Sequence, residues 1–173
     1  MSKQLLVTMF AIAALCLVAA RVARSRNNPQ ADPAPQEKLV TAHASGPFDV
    51  KVTPEVLADK QADSSLGRMS LDKQYHGDLE GTGKGEMLTA GTGVKGSGAY
   101  VAIERVTGTL SGRKGSFVLQ HMGTMTQGTP QLAIRVVPDS GTDQLAGLAG
   151  TMNIKIDNGK HSYAFDYTLP PAH

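Results

Sequence analysis

From Phe48 onward, apolar and polar residues alternate in short runs broken by glycine-rich turns, and no run keeps a 3.6-residue apolar period. Strands are predicted at about 47–56, 66–77, 82–91, 98–110, 115–125, 130–138, 148–156 and 160–168, with a helical turn as the alternative within 54–65. Three connections carry hairpin chemistry. Asn158-Gly159 is the strongest, because a type I′ turn needs positive φ at both central positions. Gly112-Arg113-Lys114-Gly115 and Glu80-Gly81-Thr82-Gly83 follow it. Consecutive hairpins make an antiparallel meander, and closure of that meander removes its exposed edges. The expected fold is therefore all-β: a single antiparallel up-and-down closed barrel of about eight strands, with a β-sandwich as the alternative. A barrel of that size is just wide enough to be filled by side chains or to hold one small ligand.

The turns also set which residues face inward. A two-residue Asn158-Gly159 loop pairs Asp157 with Lys160, so Ile156 falls opposite His161, Ile154 opposite Tyr163 and Met152 opposite Phe165. Tyr167 extends this apolar and aromatic face, whereas the reverse face carries Asn153, Lys155, Ser162, Asp166 and Thr168. In the hairpin over 98–125, a two-residue loop at Gly112-Arg113 sets Glu104 opposite His121. A four-residue loop shifts the pairing diagonally but keeps both on one face, while a three-residue loop with a bulge would put Arg105 beside His121. The companions of Glu104 and His121 are Tyr100, Ala102, Val106, Leu110, Phe117, Leu119 and Met125, more apolar and aromatic than the reverse face. Both residues are therefore predicted to point inside. In an up-and-down meander Tyr100, Glu104, His121, Met125, His161 and Tyr163 all fall at one end of the barrel.

A carboxylate beside an imidazole in an apolar mouth has the makings of an acid/base pair. The simpler reading is a structural ion pair that closes the barrel end. The expected catalytic pair is Glu104 and His121. The expected ligand-binding residues are Tyr100, Phe117, Met125, His161, Tyr163 and Tyr167, although the tyrosines read most simply as core residues with one hydroxyl bonded. Two imidazoles and a carboxylate (His121, His161, Glu104) are a conceivable ligand set, but no close His-x-His or His-x-x-x-His spacing supports one, so no metal and no cofactor are expected. The GRKGS stretch at 112–116 lacks the strand-to-helix context of a phosphate loop. Ser140 is not framed by Gly-x-Ser-x-Gly, and it reads as part of the link between the sixth and seventh strands or as a flap over the opposite mouth.

Composition narrows the function classes. The chain has 173 residues and a net charge of +2 from 17 basic and 15 acidic side chains. With no clustered basic face, nucleic acid is not an expected partner. The stretch beyond the N-terminal region, roughly 125 residues, fits one domain with one core. The uncharged run Leu5–Ala20 follows Lys3 and ends in Val18-Ala19-Ala20. As a helix it spans roughly 24 Å, short of the ~30 Å hydrocarbon core, so residues 1–20 are read as a secretory signal peptide. Residues 21–45, with RNNPQADPAPQEK, are read as a flexible tether and 46–173 as the barrel domain. The expected location is periplasmic or secreted. The rival is an inner-membrane anchor through residues 5–20, favoured by Arg21, Arg24 and Arg26, and this is the only membrane contact expected. Cys16 is the single cysteine and follows Leu15, which does not fit a lipoprotein signal, so a processed chain would have no disulfide and no thiol nucleophile.

Four phrases occur in order between about Leu66 and Leu169: HGDLEGTGKGEML, GSGAYVAIERVTGTLSGRKGSFVLQHMGTM, PDSGTDQLAGLAG and HSYAFDYTL. Together they resemble the bacterial domain-of-unknown-function family 3224. The resemblance implies a β-barrel of the allene oxide cyclase-like, calycin-like kind and no settled activity. Carried over by position, the family-like residues include Tyr100, Glu104, Arg113, Phe117, His121, Ser140, His161, Tyr163 and Tyr167, with glycines at turns and corners. The leader and tether depart from the family pattern. The expected function is an exported barrel that binds a small, largely apolar molecule. The alternatives are an isomerase or cyclase working through Glu104 and His121, and a cell-envelope interaction module. The partners considered are the small-molecule ligand and a second copy of the chain in a homodimer.

Overall fold

The computed structural model describes residues 39–58 and 65–171; the expected leader, most of the expected tether and residues 59–64 of the stretch with the alternative helical turn lie outside the described residues. Eight strands close into one antiparallel barrel in which each strand pairs with its sequence neighbours and the first pairs back with the last. They are β1 (Val40–Glu55), β2 (Leu66–Tyr75), β3 (Leu79–Gly91), β4 (Gly98–Leu110), β5 (Arg113–Thr126), β6 (Thr129–Val136), β7 (Ala149–Asp157) and β8 (Lys160–Leu169). The meander is the one that the turn chemistry predicts.

Three local expectations are corrected. First, residues 40–45, read as tether, are strand: β1 pairs with β8 from Val40↔Leu169 to Phe48↔His161. Its inward positions there are Ala42, Ala44 and Gly46, too small to give a strong apolar signal. Second, Gly81 and Gly83 lie within β3 and not in a turn. The chain turns at 76–78 instead, where Gly77 has φ 94° and its N–H donates to Glu80 Oε1 (2.8 Å). Third, the β4–β5 turn is Ser111-Gly112, with φ 47° and 85°, so Leu110 pairs with Arg113. Arg113 is held in strand by its side chain, which donates to the Pro170 carbonyl (2.8 Å). Glu104 then lies opposite Leu119 and His121 opposite Ala102. A slip of two residues preserves the face, so both still point inward. The β7–β8 register matches the expectation, with Met152↔Phe165, Ile154↔Tyr163 and Ile156↔His161.

The barrel has one filled end. Leu79, Leu110, Phe117, Phe165 and Leu169 are buried there, with Phe117 stacked on Phe165 at 5.8 Å between ring centroids. The β6–β7 link completes the seal. Leu145 and Leu148 insert as a plug, and a 3-10 turn at Asp143–Leu145 shapes the chain around them. The link is stitched to β5. Ser140 Oγ accepts from Val118 N–H (3.0 Å), Thr142 Oγ1 from Ser116 N–H (3.0 Å) and Gln144 Oε1 from Lys114 N–H (2.8 Å).

Candidate functional site

Alternation in β2 puts Leu71, Lys73 and Tyr75 on the inner face while Asp72 and Gln74 point out. Lys73 is therefore carried into the interior by its apolar neighbours. Glu104 from β4 and His121 from β5 meet it there. Exposure falls to 5% for Lys73, 0% for Glu104 and 3% for His121. Glu104 Oε2 lies 2.7 Å from Lys73 Nζ and 3.1 Å from His121 Nε2. Glu104 Oε1 accepts a hydrogen bond from the Tyr75 hydroxyl at 2.9 Å, and Lys73 Nζ donates to the same hydroxyl at 3.3 Å. The His121 contact is close but off the axis of a directed hydrogen bond, so His121 Nε2 is buried without a well-aligned partner. Lys73 Nζ also sits 5.2 Å from the Phe48 ring centre and 5.6 Å from that of Tyr75, a cation–π arrangement that compensates part of its desolvation.

The glycines of β3 make this cluster possible. A Cβ on Gly83 would collide with the Glu104 carboxylate, so the strand has to be bare where the acid lies against it. Burial alone would push the Glu104 carboxyl up. His121 and the Lys73 ammonium outweigh it and hold the group below its ordinary value of 4.5. Glu104 is thus an anion in the barrel interior. Burial, reinforced by the charge and hydrogen bond of Glu104, drives the Tyr75 hydroxyl far above its usual range and keeps it a neutral donor.

Toward the other end of the barrel lies a cavity of about 180 Å³. Its walls include Phe48, Val50, Leu71, Met87, Leu132 and Ile154, with Val52 and the 64%-exposed Ile156 at its rim. The polar groups that line it are Lys73, Tyr100, His121 and His161; Glu104 is not among them. At ~30 Å³ per water the space corresponds to about six waters. Tyr100 lies across Gly123, where a Cβ would strike its ring, and its hydroxyl is pushed up by burial and by the Glu104 charge.

The structure brings Tyr100, His121 and His161 to the cavity and sets Glu104 directly behind it. His161 packs on Phe48 at 5.2 Å between ring centres. Tyr163 meets Tyr75 edge-on at 5.6 Å; its hydroxyl accepts from Leu79 N–H (2.8 Å) and donates to the His76 carbonyl (3.1 Å). Its hydroxyl is thereby occupied outside the cavity. Phe117 and Tyr167 belong to the filled end, where the Tyr167 and Ser111 hydroxyls lie 3.1 Å apart. At ~3.3 Å per residue, Phe117 stands roughly 13 Å along β5 from His121. Met125 is exposed near the end of β5. Lys73, Tyr75 and Gly83 were not anticipated, although a lysine between Leu71 and Tyr75 on an apolar register was a visible signal. Among the described residues no group of three His, Cys, Asp or Glu side chains converges as a metal site. On the outer surface Leu88, Val101 and Met122 adjoin across β3, β4 and β5 as an exposed apolar strip.

A family model described as a protein of unknown function (DUF3224) matches residues 44–167. The crystal structure of a protein with unknown function from the DUF3224 family of Shewanella oneidensis MR-1 is similar to this chain, with 52% identity and a TM-score of 0.72. The match covers 77% of this chain and 100% of that one. No curated protein matches. Neither description names an activity, a ligand or a likeness to allene oxide cyclases.

Proposed function

The chain belongs to the DUF3224 family, and for it we propose a binding function: the open end of the barrel holds one small, largely apolar molecule. The observation that carries this reading is the cavity of about 180 Å³ with apolar walls and a few convergent polar groups, the usual make-up of a small-molecule site. The charged cluster beneath it adds support. A buried ion pair stabilises a fold less than well-packed apolar residues of the same volume, so its place beside a cavity favours a role in recognition.

An isomerase or cyclase working through Glu104 and His121 fits less well. Both Glu104 oxygens already face donors, and the carboxylate does not line the cavity, so it is poorly placed to take a proton from a bound molecule. We further propose that the barrel acts outside the cytoplasm, in the periplasm or beyond, on the strength of the uncharged run Leu5–Ala20 and its small-residue end.

Native mass spectrometry of the full-length gene product purified from its own cells tests the binding reading. A small molecule should co-purify, leave on denaturation, and be absent from a Met87→Trp variant whose cavity is filled while its β-sheet spectrum is kept. A wild-type protein that never carries a molecule, and binds none of a panel of small apolar compounds, would sink it.

A further inference from the structure

We infer that the molecule held in this cavity carries a carboxylate head group seated against Lys73 and His121, with its apolar tail toward Val52 and Ile156. This rests on the binding reading above and adds the chemical class of the ligand.

The polar lining is one-sided. It offers an ammonium, two imidazoles and a phenol, and no acidic side chain. The one carboxylate nearby, Glu104, is covered: Tyr75 occupies Oε1, while Lys73 and His121 approach Oε2. The donors that hold Glu104 are thus the groups presented to the cavity. A lysine ammonium has three N–H donors. Lys73 spends one on Glu104 and one on Tyr75, and among the described residues no third acceptor contacts it. His121 Nε2 is buried 3.1 Å from Glu104 Oε2, so the imidazole lines the cavity with the rest of its ring. An ammonium with a donor to spare, flanked by the His121 and His161 imidazoles at the floor of an apolar cavity, matches a carboxylate. Charge-assisted hydrogen bonds are roughly twice as strong as neutral ones, so the ionised acid gains more there than an alcohol of equal length. An amine would face the ammonium directly, with no exposed anion to offset it. The volume, about 180 Å³, suits a short chain.

The test uses hexanoate, hexan-1-ol and hexylamine, which differ only at the head group, titrated calorimetrically into the full chain at pH 7. Hexanoate should bind about tenfold more tightly than hexan-1-ol, with hexylamine weakest. In Lys73→Met the preference for hexanoate over hexan-1-ol should shrink toward unity. The double variant Lys73→Gln with Glu104→Gln removes the ion pair as a unit, so it keeps the question open if the single variant fails to fold, and it should lose the preference too. Hexan-1-ol or hexylamine binding as tightly as hexanoate would overturn the carboxylate assignment and leave the binding reading standing, as would an undiminished preference in either folded variant. Binding of none of the three would overturn the carboxylate assignment, and the native mass spectrum then decides the binding reading separately.

Discussion

The two ends of this barrel are made by the same eight strands and the same inward alternation, yet among the described residues one is solid and the other hollow. At the filled end the strand termini supply Leu79, Leu110, Phe117, Phe165 and Leu169, and the long β6–β7 link adds Leu145 and Leu148 from outside the sheet. At the open end the tight Gln127-Gly128 and Asn158-Gly159 turns add no such plug, and the inward positions carry Lys73, Tyr100, His121 and His161. An eight-stranded barrel is near the limit at which side chains alone fill the interior. A few large side chains and one inserted segment therefore decide whether an end becomes core or cavity.

That contrast predicts a graded set of responses. Phe117→Ala should lower unfolding free energy by about 3–5 kcal/mol, the usual loss for a buried phenylalanine, and should leave hexanoate affinity unchanged where the variant is folded. Urea titration with calorimetry on the same samples measures both. Lys73→Met should cost about 3 kcal/mol, at the low end for a broken buried pair, because Tyr75 and His121 still face the stranded Glu104 carboxylate.

Acid should act on the same cluster. The folded Glu104 carboxyl lies below its ordinary 4.5, so the folded state holds that proton less readily than the unfolded chain. Its stabilisation is present above about pH 4.5 and is lost as pH falls through the lower folded value. Urea midpoints of the wild type should drop more steeply on acidification than those of Glu104→Gln; identical acid limbs would remove Glu104 as the source. The smallest effect belongs to the rim. Ile156→Ala should change stability by no more than about 0.5 kcal/mol, since Ile156 is mostly exposed, while weakening hexanoate binding. An equal stability loss for Phe117→Ala and Ile156→Ala would erase the distinction between the two ends.

Much of the architecture was legible where local chemistry is decisive. Asn158-Gly159 fixed the β7–β8 register because few residue pairs tolerate that turn, and alternation placed Glu104 and His121 inside despite a misplaced β4–β5 turn. The stretch Gly81-Thr82-Gly83-Lys84-Gly85 misled, because glycine required for steric reasons in a strand looks like glycine required for a turn. The real causes lie on β4: the Glu104 carboxylate against Gly83, and backbone carbonyls against Gly81 and Gly85. Lys73 was half legible: its register between Leu71 and Tyr75 marks it as inward, but its buried partner Glu104 lies on another strand. Which end would be hollow was also out of reach, since it depends on where the 137–148 link folds back.

The β6–β7 seam has a kinetic consequence. It is held by Ile134↔Met152 and Arg135↔Thr151, whereas the β4–β5 seam runs unbroken from Gly98↔Met125 to Leu110↔Arg113. Opening a ring at its thinnest join breaks the fewest hydrogen bonds, so amide protons flanking Ile134 and Met152 should exchange with solvent ahead of those along β4. His121 is paired with Ile134 on the far side of that strand. Transient parting of this seam gives Glu104, which lies behind the cavity lining, a second path to water besides the barrel mouth.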